Sequence, residues 1–132
     1  MKMIRFLLLA LAVSLCATPA LAEVACNQSL VYDASSSGAV KLLSGVSNNR
    51  IFICGYNIWG GGTSTVKLEY GTGTTCATGE TALTPAFSVT AQTGIPDSSP
   101  AWRGLTVPPS NDLCIKMGSG VAVQAIIYYL QQ

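Results

Sequence analysis

The chain contains no histidine. This removes the Ser-His-Asp and Cys-His arrangements of nucleophilic catalysis. It also removes the commonest ligand of transition-metal sites, and no Cys-x-x-Cys pair compensates. Charge is scarce, at 10% Asp, Glu, Lys and Arg. No basic patch is available to neutralise phosphates, which argues against a nucleic-acid partner. After the first residues no apolar run approaches the ~20 residues of a membrane-spanning helix. Apolar positions recur at helical spacing in no window of the remaining chain, so no helix is expected.

The first residues carry a different signal. Lys2 and Arg5 precede the apolar run from Phe6 to Cys16, broken by Ser14, and Ala20-Leu21-Ala22 follows as a small-x-small site. This pattern predicts a secretory signal peptide over residues 1–22, cleaved after Ala22. A lipid anchor does not fit: Leu15 precedes Cys16, and Glu23 lies three positions before Cys26. The predicted mature chain, residues 23–132, has the size of a single domain. It keeps five basic residues against six acidic ones. Its expected location is secreted or periplasmic.

Four cysteines remain after cleavage: Cys26, Cys54, Cys76 and Cys114. An even number in an exported chain implies disulfides, and four cysteines allow three pairings.

The mature segments read as strands separated by glycine, proline and asparagine turns. Eight are expected, at Ser29–Asp33, Ala39–Ser44, Arg50–Trp59, Thr65–Tyr70, Ala82–Ala91, Trp102–Val107, Leu113–Met117 and Val121–Leu130. The third is apolar on both parities, with Ile51 and Ile53 on one and Phe52, Tyr56 and Ile58 on the other. That suggests a central strand covered twice. Thr65–Tyr70 alternates, with Lys67 and Glu69 outward. Pro85 places the fifth strand at an edge or a bulge. The final strand carries the apolar row Val121, Val123, Ala125, Ile127 and Tyr129.

This pattern predicts an all-β, eight-stranded antiparallel β-sandwich, jelly-roll-like and stapled by disulfides. In jelly-roll wiring the first, eighth, third and sixth strands share one sheet, and the second, seventh, fourth and fifth share the other. Cys26 and Cys54 then fall on one sheet, and Cys76 and Cys114 on neighbouring strands of the other. The expected bridges are Cys26–Cys54 and Cys76–Cys114.

Candidate chemistry is sparse, and no cofactor or metal is expected. A carboxylate pair for glycoside hydrolysis would have to come from Asp33, Glu69, Glu80, Asp97 and Asp112. Glu69 sits at an outward strand position and the others at strand ends or in loops, where solvated acids usually fall. Asp97 and Asp112 lack the alternating oxygen-ligand run of a calcium loop. Gly60-Gly61-Gly62 and Gly71-Thr72-Gly73 open no helix, so they read as turns rather than phosphate cradles. Asn27-Gln28-Ser29 matches the glycosylation pattern and is read as chance. The aromatic residues offer more. Trp59 ends the central strand, and Trp102 beside Arg103 begins the sixth. Such residues either cap the core or form a platform for a sugar or protein partner, with Tyr56, Trp59, Trp102 and Arg103 as the candidates.

The run Ser37 to Ile53, the segment Val66-Lys67-Leu68-Glu69-Tyr70-Gly71 and Ala82 to Phe87 form a pattern with Ala91 to Gly94, Ala101 to Gly104, Asn111 to Lys116 and Val121 to Tyr129. Over roughly residues 35–130 it resembles small β-sandwich proteins of tailed bacteriophages and their bacterial and metagenomic relatives, which are uncharacterised or assigned to virion structure. The export signal and the cysteines set this chain apart from the virion type. The resemblance implies a non-catalytic structural or surface-interaction protein, with a homo-oligomer, first of all a trimer, as its association state. A carbohydrate-binding module is the reading from another class, and a small hydrolase the third.

Overall fold

The computed structural model describes residues 25–91, 94–97 and 104–132; the expected signal peptide lies outside them. The described residues form ten strands and no helix: β1 (Gln28–Ser35), β2 (Gly38–Leu43), β3 (Ile51–Gly60), β4 (Ser64–Thr72), β5 (Thr78–Ala82), β6 (Phe87–Val89), β7 (Gly94–Asp97), β8 (Leu105–Val107), β9 (Asp112–Met117) and β10 (Ala122–Gln131). All strand pairs between them are antiparallel.

Ten strands replace the expected eight for local reasons. The Gly/Thr loop after β4 contributes β5, which adds to the edge of β4. The long turn after Ala91 contributes β7, which pairs with the Tyr56–Trp59 half of β3. The expected strand over Ala82–Ala91 shrinks to β6. Between β5 and β6 the chain turns at Leu83 and Thr84, whose N–H groups donate to the Leu68 carbonyl. The Leu68 N–H in turn donates to Thr84 Oγ1 at 3.0 Å. Pro85, with no N–H to give, follows that turn.

The first sheet has the order β1–β10–β3, with β7 and β8 side by side along the far edge of β3. The second has the order β2–β9–β4, with β5 and β6 along β4. The first strand thus neighbours the last, the last neighbours the third, and the second neighbours the penultimate, as the sequence predicted. The core lies between the sheets. The first supplies Ile51, Ile53, Tyr56, Ile58, Val123, Ala125 and Ile127, and the second supplies Val66, Leu68, Leu113, Ile115 and Met117. Tyr56 and Phe87 meet across the core with ring centroids 6.3 Å apart. Fully burying side chains of this size contributes about 1.5–3 kcal/mol each, before conformational entropy is charged against it.

The expectation that β3 is apolar on both faces is corrected. Tyr129 of β10 pairs with Ile53 and Tyr128 with Gly55, so Cys54 is an extra residue opposite neither. This bulge inverts the alternation. Ile51 and Ile53 before it, and Tyr56 and Ile58 after it, all face the same core. Phe52, Asn57 and Trp59 lie on the outer side.

Both disulfides have the expected pairing. Cys26–Cys54 ties the segment before β1 to β3, across the intervening β10. Cys76–Cys114 folds the β4–β5 loop back over the outer face of β9. That return is tight: a side chain on Gly71 would collide with the carbonyl of Cys76. The relation between loop length and closure entropy assigns each bridge roughly 2–4 kcal/mol. Two disulfides are consistent with an oxidising, extracellular or periplasmic environment. No helix among the described residues is long and apolar enough to cross a membrane.

Candidate functional site

The outer faces of the two sheets differ in chemistry. On the second sheet, cross-strand pairing places Lys41, Cys114 and Glu69 in one row and Ala39, Lys116 and Lys67 in the next. Glu80 of β5 joins them: Lys116 Nζ lies 2.7 Å from its Oε1, and Lys67 Nζ lies 3.0 Å from the same oxygen. Lys67 also reaches Glu69 Oε2 at 2.9 Å. At the end of β9, Lys41 pairs with Asp112 Oδ2 at 2.6 Å, and the Gly45 N–H donates to its Oδ1 at 2.8 Å.

These contacts govern the titration. The hydrogen bonds from Lys116 and then Lys67 hold the exposed Glu80 carboxyl down to about 2. Burial of Asp112 opposes its ionisation, but Lys41 and the Gly45 amide outweigh that, and its carboxyl lies below the usual range. Contact first with Glu69 and then with Glu80 raises the Lys67 ammonium.

Glu69 corrects an expectation. It points outward from β4, as its parity predicts, yet it is fully buried. It stands opposite Cys114 in the ladder, and the Cys76 loop folds over that position. Neither carboxyl oxygen has a hydrogen bond of good geometry, so the Lys67 ion pair is its compensation.

The outer face of the first sheet is of the opposite kind. Three of its cross-strand rows surround Trp59 and Tyr128, and a further one, Leu130, Phe52 and Thr106, lies beyond the bulge. Asp33, Gln124, Trp59 and Gly94 form the first. Val31, Ile126 and Asn57 form the second, and Ser29, Tyr128 and Gly55 the third. Val31 is 75% exposed, and Trp59 and Tyr128 are each 38% exposed. Asp33 is the one charged side chain described on these rows, and it accepts a hydrogen bond from Gln124 Nε2 at 3.2 Å. A groove of about 490 Å³ opens beside it, lined by Trp59, Gly60, Gly61, Ala122 and Gln124.

The sequence candidates divide accordingly. Trp59 stands on this open face. Tyr56 does not: it is 6% exposed and faces the core, because the bulge at Cys54 carries it inward. Trp102 and Arg103 lie outside the described residues. Asp33, weighed in the sequence only as an acid for hydrolysis, stands on this face; Gln124, Val31 and Tyr128 were missed, although the last strand held a signal for two of them. Its second parity, Ala122, Gln124, Ile126, Tyr128 and Leu130, is nearly as apolar as the row that fills the core.

Among the acids, Glu69 and Glu80 are brought together on Lys67. A depression of about 160 Å³ on this side is lined by Lys67 and Lys116 but by neither acid. Asp97 and Asp112 lie in strands of different sheets. Among the described residues no group of three His, Cys, Asp or Glu side chains is placed to hold a metal ion. Compared with protein-family models, curated proteins and solved structures, the chain matches none.

Proposed function

We propose that this chain is an exported, non-catalytic surface-interaction protein with jelly-roll wiring, and that the outer face of β1, β10 and β3 is its working surface. The observation that carries this reading is the division of charge between the two faces. Six charged side chains, Lys41, Lys67, Lys116, Glu69, Glu80 and Asp112, stand on the second sheet's side. The first sheet's outer face exposes Val31, Trp59 and Tyr128 on rows whose one described charge is Asp33, with the exposed Arg50 beyond them just before β3, on the parity of Phe52. A soluble domain has no folding reason to leave one sheet face apolar and open, and such patches mark interaction sites.

The strand order β1–β10–β3–β8 and β2–β9–β4–β6 supports the jelly-roll description. The resemblance to phage sandwiches supports a structural or adhesive role. A hydrolase is disfavoured by the state of its acids. A glycosidase needs one carboxyl with a raised pKa to act as general acid. Glu80 is instead held near 2, and Glu69 is sealed from solvent.

The test compares the two faces. Trp59→Lys and Tyr128→Lys are set against Lys116→Ala. The measurements are association state by light scattering and retention of the purified protein on bacterial envelopes. Loss of association or retention in the first pair alone is expected. Loss confined to Lys116→Ala would overturn the assignment.

A further inference from the structure

We infer that the open face binds an uncharged saccharide, laid across the row Asp33–Gln124–Trp59. This rests on the reading of that face as the working surface, and it names the ligand.

Trp59 is a preset aromatic plate. Its cross-strand partner is Gly94. A Cβ built on Gly94 would fall 2.5 Å from Cδ1 and 2.7 Å from Nε1 of the indole, so the ring rests directly on that strand's backbone. A ring seated on one side and open on the other loses little freedom when a ligand arrives. It suits the C–H face of a pyranose, which is apolar while its rim is polar.

The polar rim has partners in the same row. Gln124 lines the groove, and its amide is oriented by donating to Asp33 Oδ2. That leaves Gln124 Oε1 and Asp33 Oδ1 as acceptors for hydroxyl donors. From Asp33 on β1 to Trp59 on β3 is two strand spacings, about 10 Å at ~4.8 Å each, the length of two linked sugar rings. The groove, about 490 Å³, falls within the usual ~300–1,000 Å³ range of ligand sites.

Charge selects among ligands. No cation is described on these three rows, and Lys41, Lys67 and Lys116 are on the other sheet. A phosphate, sulfate or uronate would meet Asp33 with no cation described on its row to offset it. A second copy seated on these rows would bury two Asp33 carboxylates with no cation described beside them, which is costly. A neutral, hydroxyl-rich chain satisfies the carboxylate and stacks on the indole.

The experiment uses the full protein with immobilised glucan, xylan, mannan and N-acetylglucosamine polymer, and with polygalacturonate as the anionic control. Titration with oligomers of whichever polymer is retained follows. Saturable binding to a neutral polymer is expected. Trp59→Ala and Gln124→Ala should each weaken it at least about tenfold, ~1.4 kcal/mol. Lys116→Ala should leave it unchanged, and the melting curves of all three should show a folded protein. Gly94→Ala, which displaces the indole without removing it, should weaken binding in the same direction. Preference for polygalacturonate would overturn the inference. So would absence of saccharide binding together with a change of mass in light scattering for Trp59→Lys, an outcome that assigns the face to a second copy and leaves the working-surface reading standing. Absence of both would overturn the inference and that reading together.

Discussion

Replacing Lys67 with methionine isolates the one buried charged residue among those described. Glu69 is fully buried, and Lys67 Nζ at 2.9 Å is its ion-pair partner. Removing one member of a buried pair costs about 3–5 kcal/mol, because the remaining charge stays desolvated and unmatched. The Lys67 side chain is 24% exposed, so water screens part of the attraction, and the lower end, about 3 kcal/mol, applies. Glu80 holds the same ammonium at 3.0 Å, so its loss also leaves two acids facing each other. For a domain of this size the drop in melting temperature is roughly 10–20 °C. The assay is urea unfolding with both disulfides intact, with each variant compared to wild type at the same pH. The double variant Lys67→Met/Glu69→Leu should recover to within about 1 kcal/mol of wild type, because apolar replacement of a buried pair is often neutral. A single-variant cost under about 1 kcal/mol, or a double variant no better than the single, would refute the reasoning.

Two further outcomes follow from the same structure. The depressed folded-state values of Glu80, about 2 against an ordinary 4.5, and of Asp112 mean that their contribution to stability is present above the unfolded values and lost as pH falls through the folded ones. Acid unfolding should therefore steepen below about 4.5, and Lys116→Ala should flatten that limb in a pH series of chemical denaturation. The Tyr32 hydroxyl is buried without a hydrogen-bond partner. Tyr32→Phe should be neutral or stabilising by up to about 1 kcal/mol in calorimetry, and a loss of that size would contradict the assignment.

The sequence by itself determined the class of the fold, the neighbours within each sheet and the disulfide pairing. Period-two apolar rows such as Val123, Ala125 and Ile127 have one packing solution, a sheet with that row turned inward. Turn residues then set where each strand ends, and the wiring of a closed sandwich leaves Cys26 near Cys54 and Cys76 near Cys114. Strand count was less legible, because β5 and β7 are edge strands. They pair through backbone groups along β4 and β3 and carry no apolar alternation of their own. Two side-chain positions were decided by tertiary structure alone. The bulge at Cys54 depends on how β10 registers against β3, and it sends Tyr56 into the core while leaving Trp59 outside. The burial of Glu69 depends on a loop from farther along the chain closing over it through Cys76. The open face was half legible: the apolar second parity of β10 is visible in the chain, but whether another layer covers it is a property of the assembled sandwich. Parity assigns residues to a face, and only packing decides whether that face meets core, loop or water.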